Sequence, residues 1–114
     1  MKISEMIEKL NLKILTGDFE DCDVKFGYVS DMLSDVMGHA PSESALITIL
    51  AHENVIAVAM LRDISIIILA NNRMPDKKTI EKSCDENIII GVTQLSAFET
   101  AGILYNNGVS GKYE

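Results

Sequence analysis

The run Ser65-Ile66-Ile67-Ile68-Leu69-Ala70 constrains this chain more than any other feature. Its apolar residues do not alternate with polar ones, so both sides of the segment must be buried, as in an interior strand of a parallel sheet. Parallel strands need long crossovers, usually helices, and the sequence supplies them on either side. At 114 residues there is room for one core and no second one. Apolar residues make up 47% of the chain, aromatics only 5%, and Trp is absent, so that core must be aliphatic.

The order of elements follows from periodicity and punctuation. Met6, Ile7 and Leu10 share a helical face, with Ser4 placed to cap it and Asn11 ending the pattern. Leu12–Leu15 alternates like a short strand, and the acidic run Asp18–Asp23 reads as an exposed loop. Val24–Val29 is a second strand, in which Gly27 signals a bulge or a close backbone approach. A short helix is expected from Asp31 to Met37, broken by Gly38-His39-Ala40-Pro41, then a strand at Ala45–Leu50 and a helix at Asn54–Leu61. After the strand at Ser65–Ala70 come a helix from Asp76 to Cys84, a strand at Ile88–Val92 and a helix from Ser96 to Tyr105. Asn106-Asn107-Gly108 has the composition of a helix C-terminus. The whole is an α/β domain of three layers, with helices flanking a mostly parallel sheet of five strands. The domain is expected to occupy residues 1–108, with 109–114 as a flexible tail.

Charge and cysteine usage narrow the function classes. The formal net charge is −7 and the ten basic residues are scattered among acidic ones, which argues against nucleic acid. Cys22 and Cys84 form no CxxC pair and no secretory signal is evident, so free thiols in a cytoplasmic protein are expected. The most apolar window, Ile64–Ala70, is too short to span a bilayer. There is no GxxxxGK[ST] loop, no dinucleotide fingerprint around Gly91 or Gly102, and no nucleophile elbow at Ser30 or Ser96. No cofactor is expected. His39 and His52 join no Cys/His ligand pattern, so no metal is expected either.

Ligands of open parallel sheets collect beyond the carboxyl ends of the strands, and polar residues gather at those predicted ends. The candidate ligand contacts are Ser30, Asp31, His52, Asn72, Arg73, Thr93 and Ser96. Several sit at helix starts, where free amides favour an anion. His52 can exchange a proton near neutrality, and Arg73 can grip a phosphate or carboxylate with its planar fork. Asp31 and Asp35 at i and i+4 would share a helix face and, as like charges, mildly oppose it. The helix Val55–Leu61 is apolar on nearly every side and needs more than one covering neighbour, inside the domain or in a dimer. Val55, Val58 and Leu61, with Met32 and Met37, are therefore the candidate interface residues.

Three stretches, Gly27–Met37, His52–Ala59 and Leu95–Gly102, make the chain from Ile3 to about Gly108 resemble a stand-alone DRTGG domain. Similar domains occur in the N-terminal part of HPr kinase/phosphorylase, in phosphotransacetylases and in CBS-containing pyrophosphatases. The resemblance implies a regulatory or assembly role beside another domain's chemistry. Asp23-Val24-Lys25-Phe26-Gly27 stands where the naming motif would be, without its Arg or its paired Gly. The reading that follows is a non-catalytic regulatory module, a homodimer, that senses a small anionic or nucleotide-like ligand at the strand ends. Two alternatives stay open: a pure protein–protein interaction module without a ligand, and a small enzyme using His52 with Asp31 or Asp35.

Overall fold

The computed structural model describes residues 1–111; the last three residues of the expected tail lie outside the described residues. In chain order the elements are α1 (Ile3–Leu10), β1 (Lys13–Ile14), β2 (Phe26–Val29), α2 (Leu33–His39) and β3 (Ser44–Thr48). They continue with α3 (Glu53–Leu61), β4 (Ile66–Leu69), α4 (Lys77–Asp85), β5 (Ile90–Val92) and α5 (Ala97–Asn106). The five strands form one sheet in the order β1-β5-β4-β3-β2. β2 to β5 are parallel, and β1 pairs antiparallel with β5.

Alternation along β3 and β4 divides the core in two. Leu46, Ile67, Leu69, Ile90 and Val92 pack on one face with Val36 of α2 and Val55, Ile56 and Ala59 of α3. Ala45, Ile47, Ile66 and Ile68 pack on the other face with Ile3, Met6 and Leu10 of α1 and Leu104 of α5. α4 leans on α3, so α2, α3 and α4 share the first face and α1 and α5 the second. Every residue of β3 and β4 is buried, as the uninterrupted apolar run requires. The expected three-layer α/β domain is what this chain forms.

Several local expectations change. α1 begins before Ser4, at a cap formed by Lys2. Ser4 instead turns outward, and its Oγ donates to Asp21 Oδ2 at 2.7 Å while its amide donates to Asp21 Oδ1 at 3.1 Å. The acidic loop thus supplies the carboxylate that this positive helix end favours. α2 starts at Leu33, so Asp31 lies ahead of the helix and shares no face with Asp35. β2 pairs with β3 residue for residue, so Gly27 marks no bulge. It marks a close approach: a Cβ there would stand 3.2 Å from Val109 Cγ1. Residues 109 and 110, expected in the tail, are held by the domain. Val109 is buried, Ser110 N donates to Lys25 O, and Gly27 N donates to Ser110 O, because the edge of β2 offers backbone groups to pair.

Candidate functional site

The carboxyl ends of β2 to β5 are stitched to one another by the residues expected to hold a ligand. Asp31 Oδ1 accepts from Thr48 Oγ1 at 2.8 Å and from Ile49 N at 2.9 Å, joining the end of β2 to the end of β3. Ser30 Oγ accepts from Met32 N at 3.1 Å and shapes the turn that aims Asp31. Arg73 Nε donates to Ile49 O at 3.2 Å, which joins the end of β3 to the end of β4. Asn71 and Asn72 are both in the left-handed region, at φ 57° and 53°, and their amides donate to Leu95 O and Thr93 O. That closes the seam between β4 and β5.

This last seam decides how much of a crevice exists. β4 leads to α4 on one face of the sheet and β5 leads to α5 on the other, so the two connections part where an open α/β sheet normally leaves room for a ligand. Here the Asn71–Leu95 and Asn72–Thr93 bonds, each 2.8 Å, fill it. Thr93 itself is buried, donating to Leu10 O at 2.8 Å and accepting from Leu95 N at 3.2 Å. Its hydroxyl is fully engaged in holding α1 to β5, and as a ligand contact it is withdrawn. Ser96 Oγ accepts from Glu99 N and is the N-cap of α5.

Several groups are left over once the frame has made its own bonds, among them the exposed side chain of Asn72, a residue bonded only through its backbone amide. The guanidinium of Arg73 is exposed and bonded through Nε alone among the described residues. His52 occupies the N-cap position of α3 with an exposed ring that makes no capping bond. Nearby, the Asp76 carboxyl is held below the usual carboxylate range by hydrogen bonding from Thr79 at the start of α4, with the field of His52 contributing less. Asp35 is also held low, chiefly by the Tyr28 hydroxyl that donates to it at 2.8 Å. Asp31 is engaged with Thr48 and Ile49 instead, so the two carboxylates serve different partners.

Concave surfaces lie beside this frame. A hollow of about 210 Å³ just beyond the end of β5 is lined by Lys9, Leu10, Asn11, Thr93, Gln94 and Leu95. The sequence reading missed Lys9 and Gln94. Only the return of α1 against β5 brings them together, although Asn11, which ends α1 at φ 51°, was visible as a break. A larger cavity of about 360 Å³ opens at the opposite end of the sheet, among Thr16, Asp18, Glu20, Cys84 and Asn87. Its acidic lining does not suit an anion. Among the described residues there is no group of three or more His, Cys, Asp or Glu that could hold a metal ion. No helix among them is long and apolar enough to cross a membrane, and both cysteines are exposed free thiols.

The candidate interface residues separate in the structure. α3 finds its covering neighbours within the domain, between α2, α4 and the sheet. Val55 and Val58 are buried in that core and offer nothing to a second chain. Leu61, 72% exposed, Met32 and Met37 do reach the surface.

Comparison with known proteins bears on the fold. No protein-family model matches the chain, and no curated protein does. Among solved structures, the CBS and DRTGG domains of the regulatory region of Clostridium perfringens pyrophosphatase, complexed with the activator diadenosine tetraphosphate, match with a TM-score of 0.73. Identity is 15%, over 90% of this chain and 45% of that one. The chain therefore spans less than half of that regulatory region. The likeness is one of fold, and the fold is DRTGG-like.

Proposed function

We propose that this chain is a non-catalytic regulatory module that binds a small anionic or nucleotide-like ligand at the carboxyl ends of its strands. The observation that carries this reading is the exposed Arg73 guanidinium, bonded through Nε alone among the described residues and set on a frame that Asp31 and Thr48 hold together. A fork fixed at one nitrogen and open at the others suits a phosphate or carboxylate. His52 at the start of α3, and Lys9 in the hollow beyond β5, place further donors on the same end of the sheet. Ser30 and Asp31 hold the frame and do not grip the ligand. The fold supports a regulatory role, since it is shared with a pyrophosphatase region described with a nucleotide activator bound. A cytoplasmic setting suits such a ligand.

Thermal unfolding with adenine mononucleotides, diadenosine tetraphosphate and inorganic phosphate tests this. A ligand at one hundred times its Kd stabilises the native state by about 2.7 kcal/mol, which raises the Tm of a domain this size by roughly 10 °C. The shift should vanish in Arg73→Ala, while the ligand-free Tm falls by no more than the roughly 4 °C that loss of the exposed Arg73–Ile49 bond, about 1 kcal/mol, would cause. No shift with any of the probes, or an undiminished shift in Arg73→Ala, would reject the site. The alternative of a pure interaction module is favoured by one observation, the exposure of the two aromatics Phe98 and Tyr105 on α5.

A further inference from the structure

The closed seam between β4 and β5 governs how a ligand can lie on the carboxyl end of the sheet. With Asn71 N bonded to Leu95 O and Asn72 N to Thr93 O, no crevice is left there for a flat ring to enter. A ligand must lie across the strand ends and meet them from above. The donors available to it fall in two places. Over the end of β3, Arg73 holds Ile49 O through Nε and keeps the rest of its fork open among the described residues. Beyond the end of β5, the hollow of about 210 Å³ carries Lys9, Asn11 and Gln94, whose exposed side chains bond to none of the described residues. Asn72 stands between the two places, exposed at the seam itself. Because β4 separates β3 from β5, the two places lie two strand spacings apart, roughly 10 Å. One phosphoryl group cannot reach both. A chain of them can.

Charge is distributed to match. The opposite end of the sheet holds Asp18 and Glu20 around the cavity of about 360 Å³, and Asp63 and Glu86 around another hollow of about 320 Å³. At the carboxyl end the carboxylates are largely engaged. Asp31 accepts from Thr48 and Ile49, Asp76 accepts from Thr79 N, and Glu53 stands 3.7 Å from Lys78 Nζ. Glu99, in the first turn of α5, is the exception. A chain of net charge −7 therefore receives an anion most readily from this end.

We infer that the carboxyl end carries two anion subsites, Arg73 on the β3 side of the seam and Lys9 on the β5 side. The ligand that fits both is a linear polyphosphate, free or borne by a nucleoside, laid across the strand ends over Asn72. This rests on the strand-end reading proposed above and names the ligand class that such a site selects. Each end of the polyphosphate takes charge-assisted hydrogen bonds from one subsite. With no crevice to hold a base, selection follows the length of the phosphate chain.

Isothermal titration calorimetry at fixed ionic strength, with inorganic phosphate, tripolyphosphate and ATP, tests this. Tripolyphosphate should bind at least about tenfold tighter than phosphate, the effect of one further hydrogen bond to a charged group. Lys9→Ala should abolish that advantage, while phosphate held at Arg73 keeps its affinity. Lys82→Ala, in the last turn of α4 at the other end of the sheet, removes the same charge and should leave the advantage intact. Lys9→Gln replaces Lys9→Ala should the latter not fold by circular dichroism. Similar affinities for ATP and tripolyphosphate would assign recognition to the phosphate chain itself. ATP binding without tripolyphosphate binding would assign it to the nucleoside and overturn the inference. Equal affinity for phosphate and tripolyphosphate, an advantage that survives Lys9→Ala, or one lost equally in Lys82→Ala would also overturn it, while leaving the strand-end site standing. Failure of every probe to bind would reject that site as well.

Discussion

At the scale of single residues, the strand-end polar groups divide into those that build and those that remain available, and substitutions should tell them apart. His52 makes no capping bond, so His52→Ala should change stability by no more than about 0.5 kcal/mol in chemical denaturation, the range of an ordinary surface change. Its effect should appear only in the ligand-induced thermal shift. A loss well beyond that in ligand-free protein would show that the imidazole is structural. Gly91 behaves in the opposite way. It is buried in β5, and a Cβ there would stand 3.2 Å from Ile14 Cδ1 and 3.3 Å from Leu12 Cδ1. Both neighbours are flexible side-chain ends that can yield by a few tenths of an ångström. Gly91→Ala should therefore cost about 1 kcal/mol and Gly91→Val nearer 3, the span expected for overpacking. Equal stabilities in urea titrations would contradict the close packing of β1 on β5. Neither role was legible from residue type. A histidine before a helix and a glycine in a strand each admit two readings until the neighbours across the sheet are known.

At the scale of elements, the sequence was most legible where the pattern was strongest. The run at β4 declared itself because burial on both faces leaves no polar residue to confuse the period, and α3 because its residues are apolar even where Met60 and Leu61 are exposed. Boundaries were less legible where a distant group supplies the cap. α1 starts early because its first amides find partners in the acidic loop, Ile3 N at Cys22 O and Ser4 N at Asp21 Oδ1, seventeen positions after Ser4, which no local rule detects. α5 is the contrary case. Ser96 was expected at its start, and Ser96 Oγ does accept from Glu99 N at 3.2 Å. Ser96→Ala should accordingly cost about 1 kcal/mol, the usual loss on removing an N-cap. Gly102→Ala in the same helix should gain about 0.5–1 kcal/mol, because nothing within the domain occupies the space. Chemical denaturation measures that gain. A destabilised Gly102→Ala variant would mean that the glycine serves the fold.

At the scale of the whole molecule, net charge and local hydrogen bonding act on stability in opposite directions as pH falls. The charge of −7 opposes the compact state by self-repulsion, and that penalty shrinks as carboxylates begin to protonate. Against it stand carboxylates whose folded-state pKa lies below the ordinary value of 3.8. Asp21 is held down first by the Ser4 hydroxyl, Asp35 first by the Tyr28 hydroxyl, and Asp76 first by the Thr79 amide. A carboxylate with a depressed folded pKa binds fewer protons when native than when unfolded. Its contribution is present above the unfolded pKa and is lost as pH falls through the folded one. The two effects have different onsets. Between neutrality and about pH 5 the carboxylates with partners stay ionised, so Tm should hold or rise as repulsion eases; below about pH 4 the partners are lost and Tm should fall. A pH series of thermal melts in Asp21→Asn/Asp35→Asn/Asp76→Asn should show a lower Tm at neutrality and a shallower acid limb than the wild type. If the wild-type Tm keeps rising through the acid limb, repulsion dominates, and the Asp21 and Asp35 bonds that tie α1 and α2 to their neighbours, with the Asp76 cap of α4, contribute little.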